Sequence, residues 1–199
     1  MTTLRTFKRL CIFCGSSPGA HRAYADAAKE VGTQLAQRGI ELVYGGGNVG
    51  LMGIVADSVM QNGGRVIGVI PESLVAKEVA HRGLPDLRIV KTMHERKALM
   101  AELSDGFIAL PGGIGTFEEF FEIVTWAQLG LHAKPCALLN VNGFYDPLLR
   151  LLDHAIEEQF VKPAQRALVI VESDFSISLD RMARHHVPHE PKWIGREEI

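Results

Sequence analysis

The sequence predicts an α/β protein of Rossmann-like design, a three-layer α/β/α arrangement around a central parallel sheet of about seven strands. Three observations predict it. Short apolar runs alternate with amphipathic helical stretches along most of the chain. Those runs lack the polar alternation of a sheet with one wetted face, so helices must cover both faces. Turns built from small residues follow three of the runs, at the strand ends where open parallel sheets hold their ligands. With 199 residues, 47% of them hydrophobic, the chain can bury one core, and residues 1–199 read as a single domain.

Residues 10–14 form the first strand, ended by the turn Gly15-Ser16-Ser17-Pro18-Gly19. Tyr24, Ala28, Val31 and Leu35 then recur at helical spacing, and Gly39 supplies the stop. Residues 40–44 are the second strand, followed by Gly45-Gly46-Gly47-Asn48-Val49-Gly50, a helix over 51–60 and a strand over 65–70. After a loop of small and charged residues come a weaker strand at 87–90 and a helix at 93–103. The strand at 107–110 runs into Pro111-Gly112-Gly113-Ile114-Gly115-Thr116 and a long helix ending near 129. A strand at 136–140, a helix from 146 to near 159 and a strand at 168–171 complete the alternation. From about Arg184 the chain carries Pro188 and Pro191 and reads as an irregular tail over 184–199.

A net charge of −2 gives no general attraction to nucleic acid or anionic lipid, so any bound anion must be caught by a local site. The first nine residues are polar and basic, and no apolar run approaches the roughly 18 residues of a membrane span. The expectation is a cytoplasmic protein without nucleic-acid or membrane partners. Cys11 and Cys14 form a C-x-x-C within a strand, and with Cys136 they read as buried, reduced thiols. His185, His186 and His189 cluster in the tail and read as incidental, with no metal site.

The two later glycine turns carry the candidate chemistry. Gly45, Gly47 and Gly50 match G-x-G-x-x-G between a strand and a helix. A dinucleotide fingerprint also wants an acid at the next strand's end to hold ribose hydroxyls; Glu72 lies near that place, but Pro71 intervenes. A tight turn packing helix on strand accounts for the same glycines. In the other turn Gly112, Gly113 and Gly115 admit a ligand close to the backbone, and Thr116 opens a helix whose free N–H groups and positive dipole end suit a phosphate. No Gly-Lys-Ser/Thr follows, so one monophosphate fits better than a triphosphate with magnesium. The bland alternative is a capped helix start, since Thr116 and Glu119 spell the capping box T-x-x-E. Arg96 shares a helix face with Leu99, Met100 and Leu103, and an inward arginine must meet an anion or a carboxylate. That partner is either a ligand or, in a structural ion pair, Glu119. Lys97 reads as a solvated lysine and Glu78 as a surface charge.

Pro111 to Glu119 reads PGGxGTxxE. Together with Gly45-Gly46-Gly47-Asn48-Val49-Gly50-Leu51-Met52-Gly53 and Met93-His94-Glu95-Arg96-Lys97, in order and well spaced from about residue 10 to 171, it resembles the LOG ("lonely guy") family. Members of that family are cytokinin riboside 5′-monophosphate phosphoribohydrolases, often labelled lysine decarboxylases. The resemblance implies a Rossmann-like nucleotide-binding domain that hydrolyses the N-glycosidic bond of adenosine 5′-monophosphates, N6-substituted or not, to free base and ribose 5-phosphate, without metal or coenzyme. It implies Arg96 and Glu119 as the catalytic pair. Gly46, Gly47, Gly112, Gly113, Ile114, Gly115, Thr116, Phe117, Glu118 and Glu119 would line the nucleotide site, the glycine amides and Thr116 holding the phosphate. Glu78, Lys97 and Thr125 fall at positions similar to further ligand contacts. The family commonly carries an aromatic residue where this chain has Ile114.

The resemblance also implies a homodimer with its sites near the interface. On the helix at 116–129, Phe117, Phe120, Phe121 and Val124 make one apolar face and Ile123, Trp126 and Leu129 another, which suits a shared helix or a central core helix equally. The chief rival is a non-catalytic carrier of nucleotide or molybdenum cofactor, since PGGxGT also occurs in such relatives. A nicotinamide-dependent oxidoreductase leaves PGGxGT unexplained, and lysine decarboxylation needs a Schiff-base lysine arrangement that is not legible here.

Overall fold

The computed structural model describes residues 4–75 and 80–186. Seven strands, β1 (Arg9–Phe13), β2 (Glu41–Tyr44), β3 (Val66–Pro71), β4 (Asp86–Val90), β5 (Gly106–Ala109), β6 (Cys136–Leu139) and β7 (Val169–Glu172), form one sheet. All six pairings are parallel and the spatial order is β4-β3-β2-β1-β5-β6-β7. The helices are α1 (Arg22–Gln37), α2 (Gly50–Gln61), the short α3 (Glu72–Val75), α4 (Met93–Leu103), α5 (Ile114–Gln128), α6 (Asp146–Glu157), the short α7 (Pro163–Arg166) and α8 (Phe175–Arg184).

The chain steps outward from β1 to β4, then returns to place β5 on the other side of β1. At such a reversal the flanking loops part and leave a crevice at the carboxyl edge of the sheet. Backbone bonds tie the loops around it together: Gly15 N–H donates to the Pro111 carbonyl at 3.1 Å, and Leu51 N–H to the Gly15 carbonyl at 3.0 Å. All three small-residue turns therefore meet at one edge, as the sequence predicts.

Strand side chains alternate between two apolar cores. Leu10, Ile12, Leu42 and Tyr44 pack with Val31 and Leu35 of α1, Leu51 and Val55 of α2, and Leu179 and Met182 of α8. Cys11, Phe13, Val43 and Phe107 pack on the opposite face with Met100 of α4 and Phe120 and Ile123 of α5. The central strands are buried on both faces, whereas β4 is an edge strand with Ile89 54% exposed, which explains its weaker apolar signal. Cys11, Cys14 and Cys136 are buried and free, and the first two belong to opposite cores rather than to one redox pair.

Three features differ from the sequence reading. Helix α8 was not expected; Asp174 caps it by accepting from Ile177 N–H at 2.9 Å, while Phe175, Leu179 and Met182 fill the core at helical spacing. The short α3 and α7 also escape the sequence reading. Helix α5 opens at Ile114 with Gly113 as its N-cap, so Thr116 is already inside it and the T-x-x-E capping box does not form. Of the expected tail, residues 187–199 lie outside the described residues. Among the described residues no helix is long and apolar enough to cross a membrane.

Helices α1 and α2 meet at Gly32, where an added Cβ falls 2.6 Å from Ser58 Cβ and 2.7 Å from the Val55 carbonyl oxygen. Because backbone blocks that space, Gly32→Val forces the helices apart. The expected cost is about 1–3 kcal/mol, read as a lower Tm in calorimetry; an unchanged Tm refutes the close crossing.

Candidate active site

Helix α5 begins inside the crevice. Its first intrahelical bond of this turn runs from Phe117 N–H to the Gly113 carbonyl at 3.1 Å, so the amides of Ile114, Gly115 and Thr116 have no partner within the helix. A Cβ on Gly112 would lie 2.1 Å from Thr116 Oγ1, so glycine there lets the threonine hydroxyl fold back onto the turn. At Gly113 and Gly115 the corresponding space is open. The turn thus exposes N–H groups at the positive end of a helix to a cavity of roughly 400 Å³.

Arg96 forms the facing wall. Thr92 caps α4 by accepting from Glu95 N–H at 3.1 Å, which fixes the helix start and directs Arg96 inward. Arg96 is 7% exposed, and each nitrogen of its guanidinium has a partner from a different element. Nε donates to the Val69 carbonyl at 3.1 Å, Nη2 donates to the Gly45 carbonyl at 3.2 Å, and Nη1 lies 3.4 Å from Glu119 Oε1. While the guanidinium holds this position only glycine fits at 45, because a Cβ would stand 1.9 Å from Nη2.

Glu119 lies one turn into α5 with its side chain 11% exposed. Burial pushes its carboxyl above the usual carboxylate range; Arg96 opposes that shift, Glu118 adds to it and Lys97 opposes it. Cys14 also lines the cavity, and burial pushes its thiol far up, leaving it protonated and a poor nucleophile. Among the described residues no three His, Cys, Asp or Glu side chains gather to hold a metal.

A family described as possible lysine decarboxylase matches residues 52–182. A cytokinin riboside 5′-monophosphate phosphoribohydrolase of Arabidopsis thaliana is 50% identical over 191 residues, 96% of this chain and 89% of that protein. Another, from Rhodococcoides fascians, is 54% identical over 170 residues, 85% of this chain and 86% of that protein. The chain belongs to the LOG family. Among solved structures, the molybdenum cofactor carrier protein of Chlamydomonas reinhardtii matches with a TM-score of 0.64 at 20% identity, over 86% of this chain and 92% of that one. At that identity the likeness is one of fold alone.

Of the residues that the LOG resemblance marks, Gly47, Arg96, Gly113, Ile114, Gly115, Thr116 and Glu119 line the cavity together. Ile114 stands at its mouth, 82% exposed. Gly46 lies behind the wall at φ +70°, where a Cβ would press on Ile70 and Leu87. Gly112 faces a smaller neighbouring cavity, and Phe117 turns away to pack on Phe144 and Tyr145. Thr125 is exposed on α5, about 13 Å along the axis from Thr116, and does not line the cavity. Glu78 lies outside the described residues.

Lys97 is a correction to the sequence reading. It is 7% exposed, not solvated, and its ammonium pairs with Glu118 and with Glu122, the latter at 3.1 Å. The reason is that α4 packs against the acidic flank of α5, so Arg96 and Lys97, adjacent in sequence, both meet carboxylates. Sequence reasoning also missed Ser16, Met52, Ile70 and Leu74 in the cavity wall, and Glu122 as a partner. For Ser16 a signal existed, since it sits in a turn already assigned to the site's edge.

The Glu119 carboxyl should therefore titrate above an ordinary glutamate, which carbon NMR of labelled protein measures directly. Lys97→Ala removes a charge that favours the ionised form and leaves Glu118 and Glu122 nearby, so the midpoint should rise further. A midpoint unmoved by Lys97→Ala contradicts this account of the charge balance.

Proposed function

We propose that this chain hydrolyses the N-glycosidic bond of adenosine 5′-monophosphate and its N6-substituted forms, releasing the base and ribose 5-phosphate. The observation that carries the reading is one cavity that holds both the open amides of α5 and, one turn further along the same helix, the Arg96–Glu119 pair. One helical turn is about 5 Å, comparable to the span from a nucleotide's 5′-phosphate to its anomeric carbon. The phosphoribohydrolase relatives, alike over most of both chains, support the same reading.

In this proposal the phosphate accepts hydrogen bonds from the amides of Ile114, Gly115 and Thr116, and the remote anchor holds C1′ against Glu119. As the C1′–N9 bond breaks, its electron pair leaves with the base and positive charge builds on the ribose, as in glycoside hydrolysis. Ionised Glu119 stabilises that charge and accepts a proton from the water that adds to C1′. The departing purine takes up one proton from solvent and Glu119 returns its proton to solvent, so neutral base and ribose 5-phosphate are released. Arg96, held by two backbone carbonyls, keeps the carboxylate ionised and aimed.

The reading includes a cytoplasmic homodimer. Three free, buried thiols suit a reducing compartment. The far end of α5 supports a second copy: Trp126 is only half-buried, Leu129 is 43% exposed and Leu131 is 69% exposed. Light scattering should return twice the chain mass, and a monomer removes this part.

Glu119→Gln and Arg96→Ala should each lower adenine release from AMP by about a hundredfold or more, read by chromatography, while a cooperative thermal transition remains. Near-parental turnover by either variant rejects the assigned roles. Parallel assays with AMP, GMP, CMP and isopentenyladenosine monophosphate rank the bases, and preference for a pyrimidine nucleotide contradicts the proposal.

A further inference from the structure

The Arg96–Glu119 geometry rests on the Gly45 carbonyl, and the turn that carries it has little stiffness of its own. Gly45, Gly46 and Gly47 are consecutive, and Gly46 sits at φ +70°, a conformation glycine enters without steric cost. One side of the turn meets Arg96. The other is braced by residues 80 and 81: Ala80 forms an antiparallel bridge with Gly47, and His81 N–H donates to the Gly46 carbonyl at 2.8 Å.

Leu84 anchors the same segment in the apolar core, and one polar side chain, that of His81, ties the brace to α2. His81 is 6% exposed, and its Nε2 lies 3.0 Å from Oδ1 of Asp57 on α2. With a carboxylate facing Nε2, the proton belongs on that nitrogen, which donates to Asp57. Nδ1 is buried with no hydrogen-bond partner among the described residues, so Asp57 is the one polar anchor of the ring. Neither residue lines the cavity around Glu119.

We propose that His81, held by Asp57, is a positioning residue for the hydrolysis proposed above: it braces the Gly45–Gly47 turn so that the Gly45 carbonyl keeps Arg96 against Glu119. The inference rests on that reading of the activity. The path is contiguous, from Asp57 through His81 to Gly46, Gly45, Arg96 and Glu119, each link a hydrogen bond, an ion pair or a peptide bond. Displacing a catalytic group by a fraction of an ångström affects the chemical step more than ground-state binding, so the expected signature is a loss in kcat with KM preserved.

The test is steady-state adenine release from AMP by the parent, His81→Ala, Asp57→Ala, the double variant and His81→Gln, with Tm measured for each. Asp57 is half-exposed, so Asp57→Ala keeps the test open should His81→Ala fail to fold. Either alanine variant should lower kcat by about ten- to a hundredfold and change KM less than twofold. The double variant should fall no further than the worse single one. In His81→Gln the side-chain amide donates to Asp57 in place of Nε2, and most of kcat should return. Alanine variants with a lower Tm but parental kcat overturn the inference and leave the proposed activity standing, as does a glutamine variant no better than alanine. A parent chain that releases no adenine removes the proposed activity itself, and this inference with it.

Discussion

A guanidinium taken out of water at the edge of a parallel sheet is the constraint around which the site is built. Buried charge is tolerated only where hydrogen bonds and an opposite charge replace the lost solvent. Arg96 obtains them from the ends of two strands and the first turns of a helix: Gly45 beyond β2, Val69 in β3 and Glu119 in α5. Those elements are brought together by the reversal of strand order at β1, which opens the crevice, and by α4, whose capped start sets the arginine's direction.

The charges between α4 and α5 form an unequal set. Arg96 and Lys97 face Glu118, Glu119 and Glu122, so carboxylates outnumber cations within a partly dry space. Lys97 pairs directly with the two flanking acids and acts on Glu119 through space, while Arg96 is the direct ion-pair partner of Glu119. The division assigns distinct work to two adjacent basic residues: one joins the helices, the other holds the carboxylate that faces the cavity. Burial raises the Glu119 carboxyl while the neighbouring cations restrain that rise, so the group remains both ionisable and basic.

Much of this was legible in the sequence, because the relevant signals are local. Fully apolar runs between amphipathic stretches announce a doubly covered parallel sheet, and small-residue turns at strand ends announce its crevice. Arg96 on an apolar stripe already required an anion or an acid, and the structure supplies Glu119. Other features depend on information that periodicity does not carry. Lys97 looked solvated because a helical stripe counts apolar neighbours, whereas its partners come from another helix. Thr116 looked like a cap because the hydroxyl-x-x-acid spacing is there, but the cap of α5 lies three residues earlier, at Gly113. The contact between His81 and Asp57 joins positions 24 residues apart through tertiary packing, and neither residue stands out in the chain. Helix α8, by contrast, was readable from Asp174 and the spacing of Phe175, Leu179 and Met182.

The contact between Gly45 and Arg96 joins positions 51 apart that cannot drift independently. Any side chain at 45 evicts the guanidinium, and a shorter residue at 96 leaves two strand-end carbonyls without their donor. Evolution can therefore leave this corner only by changing both positions, and once the arginine is gone nothing keeps the turn bare. Among distant relatives of the same fold, an alanine or serine at the place of Gly45 should mark lineages that have abandoned the chemistry while keeping the scaffold.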